Sequence, residues 1–579
     1  MNYPHRSHSQ AIAAILISIL SLFAAVPMCL ADEADGSQNS FDAAIDSVVG
    51  PVADVAEMIV FYSVGGFPVV LVLLACTAVF LTVYFKFINI RGFRVALGTI
   101  RGKYTDPDAP GQITHFQALS AALSATVGLG NIAGVAVAIG LGGPGATLWM
   151  ILIGLCGMTT KFTECTLGVL YRKVAADGST RGGAMYYLRD GLAEKGMPGL
   201  GKALAVFFAI MCIAGAIGAG NMFQANQAHQ QIHNSFGIFA HGWEFGVVVA
   251  ILVAMVIIGG IVAIARVTSF LVPFMCGIYL LAALTVLIVN AGHIPAAIGT
   301  IFSEAFSGAA AGGGIVGVLI QGIKRGVFSN EAGVGSAPIA HSAVKTNRPA
   351  SEGLVALLEP FIDTVVVCTM TALVIVTTGM WNVKADTKSA DTPIYAAGEE
   401  SAAVTGKLAE AEKLRFTGNN VEEAGDDGEN KITWREVTSF DDTQSGWVKA
   451  EAINLREDGI WLTSAAFGTV IGWFPYVLSI AVFLFAFSTM ISWSYYAEQA
   501  VIYLFGDNKA VVIGYKLVFC GFIVVGAAAS LGNVIRLADA LFFCMVVPNL
   551  IGVYILLPKV KDQLDSYLAH VRSVDGNGR

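Results

Sequence analysis

Long apolar runs alternate with short polar stretches over most of the chain from about residue 58 to 557. A helix needs about 20 mostly apolar residues to cross the hydrocarbon of a bilayer. That ruler predicts eleven spans, near 58–86, 117–141, 144–170, 201–232, 245–265, 268–290, 309–335, 352–380, 465–500, 510–530 and 534–557. The second carries an interruption, Ser124-Ala-Thr-Val-Gly-Leu-Gly-Asn-Ile-Ala-Gly134. Its glycines and asparagine are each mildly unfavourable inside a helix. Unwound backbone at bilayer depth persists only where it is buried in protein or lines a polar cavity. The interruption therefore points to a small polar ligand.

Setting the first span aside leaves ten, which divide into two sets of five. Five is odd, so the second set enters from the opposite side, the plan of an inverted repeat used by many secondary transporters. If the first span of one set is broken, so should be its counterpart. The counterpart is 309–335, where Gly312-Gly-Gly-Ile-Val-Gly-Val-Leu-Ile320 runs into Gln321-Gly-Ile-Lys-Arg-Gly-Val-Phe-Ser-Asn-Glu-Ala-Gly-Val-Gly335. A second break is expected within 317–326.

Composition agrees: 55% of residues are apolar and 13% charged, about half the charge of an ordinary soluble chain. The net charge of −8 sits in one place, because 381–460 holds 17 acidic and 9 basic residues and 9 − 17 = −8. That removes nucleic acid as a partner and marks 381–460 as a hydrophilic insertion. Lysine and arginine concentrate on the cytoplasmic side of membrane proteins. Lys86, Arg91, Arg94, Arg101, Lys103, Arg172, Lys173, Arg181, Arg189, Arg266, Lys345, Arg348, Lys559 and Lys561 all fall on one side of the predicted topology. The insertion is then extracytoplasmic, the mature N-terminus outside, and a tail over 559–579 cytoplasmic. Residues 1–31 have a basic start, an apolar run and a small residue before acidic Asp32, the form of a cleavable signal. The cysteines fall in apolar runs with no metal-site spacing.

Several longer motifs carry a resemblance. They are Val127-Gly-Leu-Gly-Asn-Ile-Ala-Gly-Val-Ala136 leading into Gly142-Gly-Pro-Gly-Ala-Thr-Leu-Trp-Met150, Lys161-Phe-Thr-Glu-Cys165, Arg181-Gly-Gly-Ala-Met-Tyr-Tyr187, Asn221-Met-Phe-Gln-Ala-Asn-Gln227, Phe328-Ser-Asn-Glu-Ala-Gly-Val-Gly-Ser-Ala-Pro338, Asp363-Thr-Val-Val-Val-Cys-Thr-Met-Thr-Ala372 and Trp493-Ser-Tyr-Tyr-Ala-Glu498. The chain resembles the alanine or glycine:cation symporter family, the sodium:alanine symporters, from about residue 60 to 558 outside the insertion. The resemblance implies an all-α polytopic protein of the inner membrane. Its fold would be the leucine-transporter-type five plus five inverted repeat preceded by one extra helix. It implies import of alanine or glycine driven by sodium, or by protons in some members, with no organic cofactor. Leu148, Ile151, Ser492 and Ala497 depart from the usual family residues, which bears on substrate preference.

A zwitterion needs partners for both of its charges. Amides near Gly128, Leu129 and Gly130, at the start of a helix, suit the carboxylate, and carbonyls freed around Gln321 and Gly322 suit the ammonium. Asn221, Phe223 and Gln224 are candidates for the pocket wall. Likeness of fold implies a sodium site from Thr126, Asn131 and the carbonyls of Ser124 and Val127, joined by Ser488 and Thr489. Lys161 and Glu164, three apart, read as a helix-surface ion pair. Lys324 and Arg325 are expected in the inner vestibule or paired with Glu331 or Asp363. Asp363 itself reads as structural before a gating or cation-binding role. His229, His233 and His341 read as interface histidines. Asp426–Glu436 resembles a calcium loop poorly, with Gly425 and Asn430 at two key positions, so the insertion reads as a small solvated domain or an irregular lid. The competing functions are an amino-acid sensor without transport and a membrane-embedded enzyme, and the chain has no nucleophile-elbow motif for the latter.

Overall fold

The computed structural model describes residues 40–577 except 107, 176–177, 308–313, 411, 425–430 and 456–458. The expected signal and the poor calcium loop's first half lie outside the described residues.

The described residues open with α1 (Ser40–Val60), a helix the sequence reading did not foresee. It turns through a short hairpin, Ser63–Val64 with Phe67–Pro68, into α2 (Val69–Tyr84). The predicted 58–86 span is therefore two elements with a turn between them. Two short helices, Ile88–Arg91 and Phe93–Ile100, lead to α3 (His115–Thr126) and α4 (Ala133–Gly142), which meet at an angle of 59°. The chain continues through α5 (Ala146–Leu170), α6 (Pro198–Phe236), α7 (Gly242–Ile257), α8 (Gly260–Val289) and the unforeseen α9 (Ile294–Ser307). Beyond residue 313 come α10 (Gly314–Asn330), the short α11 (Pro338–His341) and α12 (Pro349–Thr377). Beyond the insertion lie α13 (Ile460–Gly468), α14 (Phe474–Phe505), α15 (Lys509–Ala528), α16 (Leu531–Phe543) and α17 (Val546–Asn577). The expected tail after 559 is thus the end of α17, and the 465–500 run is a short helix followed by a long one.

Seven helices among the described residues are long and apolar enough to cross a membrane, or eight with α3 and α4 taken as one broken span. α2 and α7 are shorter apolar helices. The core is one continuous apolar cluster running from α1 to α17. Within it α5 packs between α10 and α12, and α14 lies against α3, α6 and α8. Small side chains permit this closeness, as interfaces between membrane helices require.

The all-α expectation fails at the insertion, which is a sheet. Its strands are β1 (Val383–Thr387), β2 (Thr392–Tyr395), β3 (Val404–Leu408), β4 (Lys413–Ala424), β5 (Lys431–Ser439), β6 (Ser445–Lys449) and β7 (Ile453–Leu455). They are antiparallel in the order β7-β1-β4-β5-β6-β2-β3. The sheet has its own core of Ala385, Ile394, Leu408, Leu414, Val437, Val448 and Ile453. Val383 belongs to the helical core instead, and Lys384 Nζ donates to the carbonyl of Gly140 at the end of α4. The sheet is therefore seated at the end of the bundle where α4 stops and α12 finishes.

A candidate binding site at the broken helix

The first break arises as the glycines predict. α3 ends at Thr126, Val127 leaves the helix at φ −76° and ψ 85°, and Gly128 is extended. A Cβ on Gly128 would fall 2.4 Å from Thr489 Oγ1 and 3.2 Å from Gln224 Oε1. Only a residue without that atom lets backbone, hydroxyl and amide converge here. The Gly128 amide donates to Asn131 Oδ1 at 2.8 Å, and the Leu129 amide donates to Gln224 Oε1 at 3.1 Å. Two side-chain oxygens thus satisfy the two amides freed by the break.

Around the end of α3 the groups are neutral hydroxyls and carbonyls. Ser124 Oγ donates to the carbonyl of Ser488 (2.7 Å), Thr489 Oγ1 to the carbonyl of Ser124 (3.0 Å), and Ser492 Oγ to Ser124 Oγ (2.9 Å). All are buried. Such a donor set fits a hard monovalent cation, which takes oxygen ligands. Thr126 lines the neighbouring cavity, but its hydroxyl bonds back to Ala122 and Leu123 in its own helix. The Ser488 hydroxyl likewise bonds back to Phe485.

Asn131 faces a second polar cluster. Its Nδ2 donates to the Asp363 carboxylate (2.5 Å) and backbone carbonyl (3.1 Å), and its own carbonyl accepts from Thr371 Oγ1 (2.8 Å). Asp363 also accepts from Ser329 Oγ and Thr364 Oγ1, both at 2.7 Å. A carboxylate with no cation among these partners is costly to bury, and its closeness to Asn131 brings negative charge to the break. The sequence reading weighed a gating or cation role for Asp363 below a structural one, because its partners lie 34 and 232 residues away.

The second break lies elsewhere than expected. α10 runs unbroken through Gln321 and Gly322 to Asn330. Gly322 serves helix packing instead, since a Cβ there would fall 2.5 Å from Trp149 Cβ and 2.6 Å from the Ala146 carbonyl. The break covers Glu331 to Ser336, with positive φ at Glu331 (57°), Gly333 (92°) and Gly335 (84°). Positive φ in a glutamate is strained and persists only where its surroundings fix it. Trp493 Nε1 donates to Glu331 Oε1 at 3.1 Å and Ser336 Oγ bonds Oε2.

Between the two breaks is a small polar cavity of about 10 Å³, space for one water-sized group. Thr126, Gly130, Gln224, Phe328, Glu331 and Trp493 are among its walls. Phe223 stands edge-on to Phe328 with centroids 5.5 Å apart, and Phe328 meets Phe542 at 5.2 Å. Arg325 lies over Phe328 and pairs with Asp539, which Lys324 also reaches at 2.9 Å. The expected partners Glu331 and Asp363 are thus replaced by Asp539 of α16. Asn221 lies apart, tying α6 to α15 through a 2.6 Å bond to the Phe519 carbonyl.

The sodium:alanine symporter family model matches residues 52–409 and 443–577. The chain belongs to that family. It is an integral membrane transporter of the amino-acid:cation symporters and not an enzyme. The family match skips 410–442, the part of the sheet that carries the whole of β4 and β5. The chain is 47% identical over 314 residues to the "Sodium/alanine symporter AgcS" of Methanococcus maripaludis, covering 54% of this chain and 68% of that protein. It is 38% identical over 320 residues to the "Putative sodium/proton-dependent alanine carrier protein YrbD" of Bacillus subtilis, covering 55% and 63%. A weaker likeness, with 15% identity and a TM-score of 0.49 over 79% of this chain and 93% of the other, is to the "Crystal structure of MhsT in complex with L-phenylalanine".

Proposed function

We propose that this symporter imports a small neutral amino acid, alanine or glycine, with sodium as the driving ion, by alternating access. The observation that carries the reading is the convergence at Gly128, where bare backbone meets Thr489 and Gln224. The substrate carboxylate displaces the side-chain oxygens of Asn131 and Gln224 from the amides of Gly128 and Leu129. Its ammonium faces Glu331, which replaces Gln321 and Gly322 in that role. The small cavity and its wall of Phe328 and Trp493 favour a short side chain.

Sodium takes the carbonyls of Ser124 and Val127 with the hydroxyl of Thr489. Each charge moved down the membrane potential supplies about 2.3 kcal/mol per 100 mV. The eleven spans are α2, the broken pair α3 and α4, α5 to α8, α10 with α11, α12, α14, α15, and α16 with α17. The last ten form two inverted sets of five. The N-terminus and the sheet lie outside, and α17 ends in the cytoplasm.

Uptake of labelled amino acids into proteoliposomes tests the reading. Alanine or glycine should accumulate under an inward sodium gradient and not when choline replaces sodium. Accumulation of neither, with binding retained and no counterflow, would make the chain a sensor.

A further inference from the structure

At the end of the bundle remote from the sheet, ionisable side chains unused by the binding site form a buried chain. His115, at the start of α3, bonds Glu352 through Nδ1. The other Glu352 oxygen meets His341 Nδ1 at 2.5 Å, and His341 Nε2 bonds Glu359. Glu359 then accepts from Lys161 Nζ of α5 at 3.1 Å. His341, Glu352, Glu359 and Lys161 are all fully buried. Lys161 and Glu164 are therefore no surface pair, because Glu164 bonds Asn549 and the Gly333 amide. Nor is His341 an interface residue.

The geometry fixes a proton count. A neutral imidazole offers one donor and one acceptor, whereas an ionised carboxylate only accepts. Both nitrogens of His341 face carboxylate oxygens, so a neutral ring would press a lone pair against one of them. The arrangement closes only with one more proton, carried by His341 or by the glutamate it would otherwise repel. With His341 as imidazolium, two positive groups (Lys161 and His341) balance two negative ones (Glu352 and Glu359). The other ionisable neighbours are Glu164, Cys165 and, beyond α5, Arg172, with Glu331 at the break, Asp363, Tyr187, Tyr496 and, from α17, Tyr567. The Tyr496 hydroxyl is buried without a partner among the described residues.

We propose that this chain is a proton-binding site, and that the bound proton fastens α3, α5, α11 and α12 together at the end remote from the sheet. Losing it sets a lone pair against a carboxylate and loosens that junction, so the pH on that side controls how readily the carrier opens there. Donor atoms of Cys165, His341 and Glu359 also lie within 4.8 Å of one another. Lys161 already occupies the other Glu359 oxygen and opposes a divalent ion there more strongly than a single proton. The control of opening rests on the symport reading, whereas the proton site stands without it.

Thermal melting of the full chain in detergent, from about pH 6 to about pH 9 at constant sodium, tests the site without transport. The wild-type melting temperature should fall by about 3 °C as pH rises. Glu352→Gln should abolish that slope, since its amide can donate to a neutral His341, and His341→Gln should abolish it as well. In proteoliposomes, wild-type alanine counterflow should quicken about tenfold over the same range, in response to pH on the remote side alone. A flat wild-type melting profile, or a wild-type slope kept in both variants, would overturn the proposal. So would a zinc-dependent rise in melting temperature lost in Cys165→Ser. Absence of counterflow with every amino acid, beside a sloping melting profile, would instead sink symport and leave the proton site standing.

Discussion

The two helix breaks solve the same problem with opposite chemistry. At the first, between α3 and α4, the backbone itself is met by neutral oxygens from Asn131, Gln224 and Thr489, and the Asp363 carboxylate stands one layer behind, bonded to Asn131. At the second, between α10 and α11, the chain supplies carboxylates: Glu331 sits in the break, and Glu164 accepts from the Gly333 amide. Neutral oxygens can take up a cation's charge without protons moving. Fixed carboxylates suit a ligand that brings its own positive group. In the proposed function this difference divides the labour of a symporter, with the ion and the substrate carboxylate assigned to the first break and the ammonium to the second.

The sharpest way to break this division is Gly128→Ala. The added methyl would stand 2.4 Å from Thr489 Oγ1, so it must push apart the groups that the ion and substrate share. Uptake should be lost, with the protein still running as a monodisperse peak on size exclusion. Normal uptake by this variant would remove the first break from the mechanism.

Glu331→Gln separates the roles of the breaks. A charge-assisted hydrogen bond is worth about 1.5–3 kcal/mol, so KM for alanine should rise on the order of 10–100-fold while the sodium dependence stays nearly unchanged. Thr489→Ala should do the reverse, raising the half-saturating sodium concentration about tenfold with a smaller change in KM for alanine at saturating sodium. If the two variants shift both parameters alike, the breaks are not specialised.

Some of this was legible in the sequence and some was not. The first break was readable to the residue because glycine and asparagine act locally, on their own stretch of backbone. The second was placed too early: Gln321-Gly322 looks like a helix breaker, but Gly322 lets Trp149 approach. The glycines that turn the chain are Gly333 and Gly335, inside a motif already singled out. A glycine needed for closeness and one needed for positive φ look alike until the neighbouring helix is known. Asp363 and His341 stood out as ionisable groups within or beside spans, but the role of each is defined by partners brought from other helices. The sheet was missed because its strands, such as Lys431–Ser439, mix charged residues among Ile432, Trp434 and Val437, so net charge masked the strand-forming residues.

The smallest expected effect comes from the sheet, which touches neither break. Asp441, in the turn between β5 and β6, accepts from the hydroxyls of Thr443 and Ser439, both at 2.7 Å, and from the Thr443 amide at 3.1 Å. These bonds hold its carboxyl down to about 2. A carboxyl lowered on folding stabilises the turn above its ordinary range, and that contribution fades as pH falls through the folded value. Hydrogen exchange over 431–449 should therefore quicken below about pH 4 in the wild type. In Asp441→Asn it should be faster at neutral pH and lose most of that acid response. Sodium-driven uptake at neutral pH should not change. A loss of uptake in this variant would make the sheet part of the transport cycle and end the claim that the two breaks alone divide the chemistry.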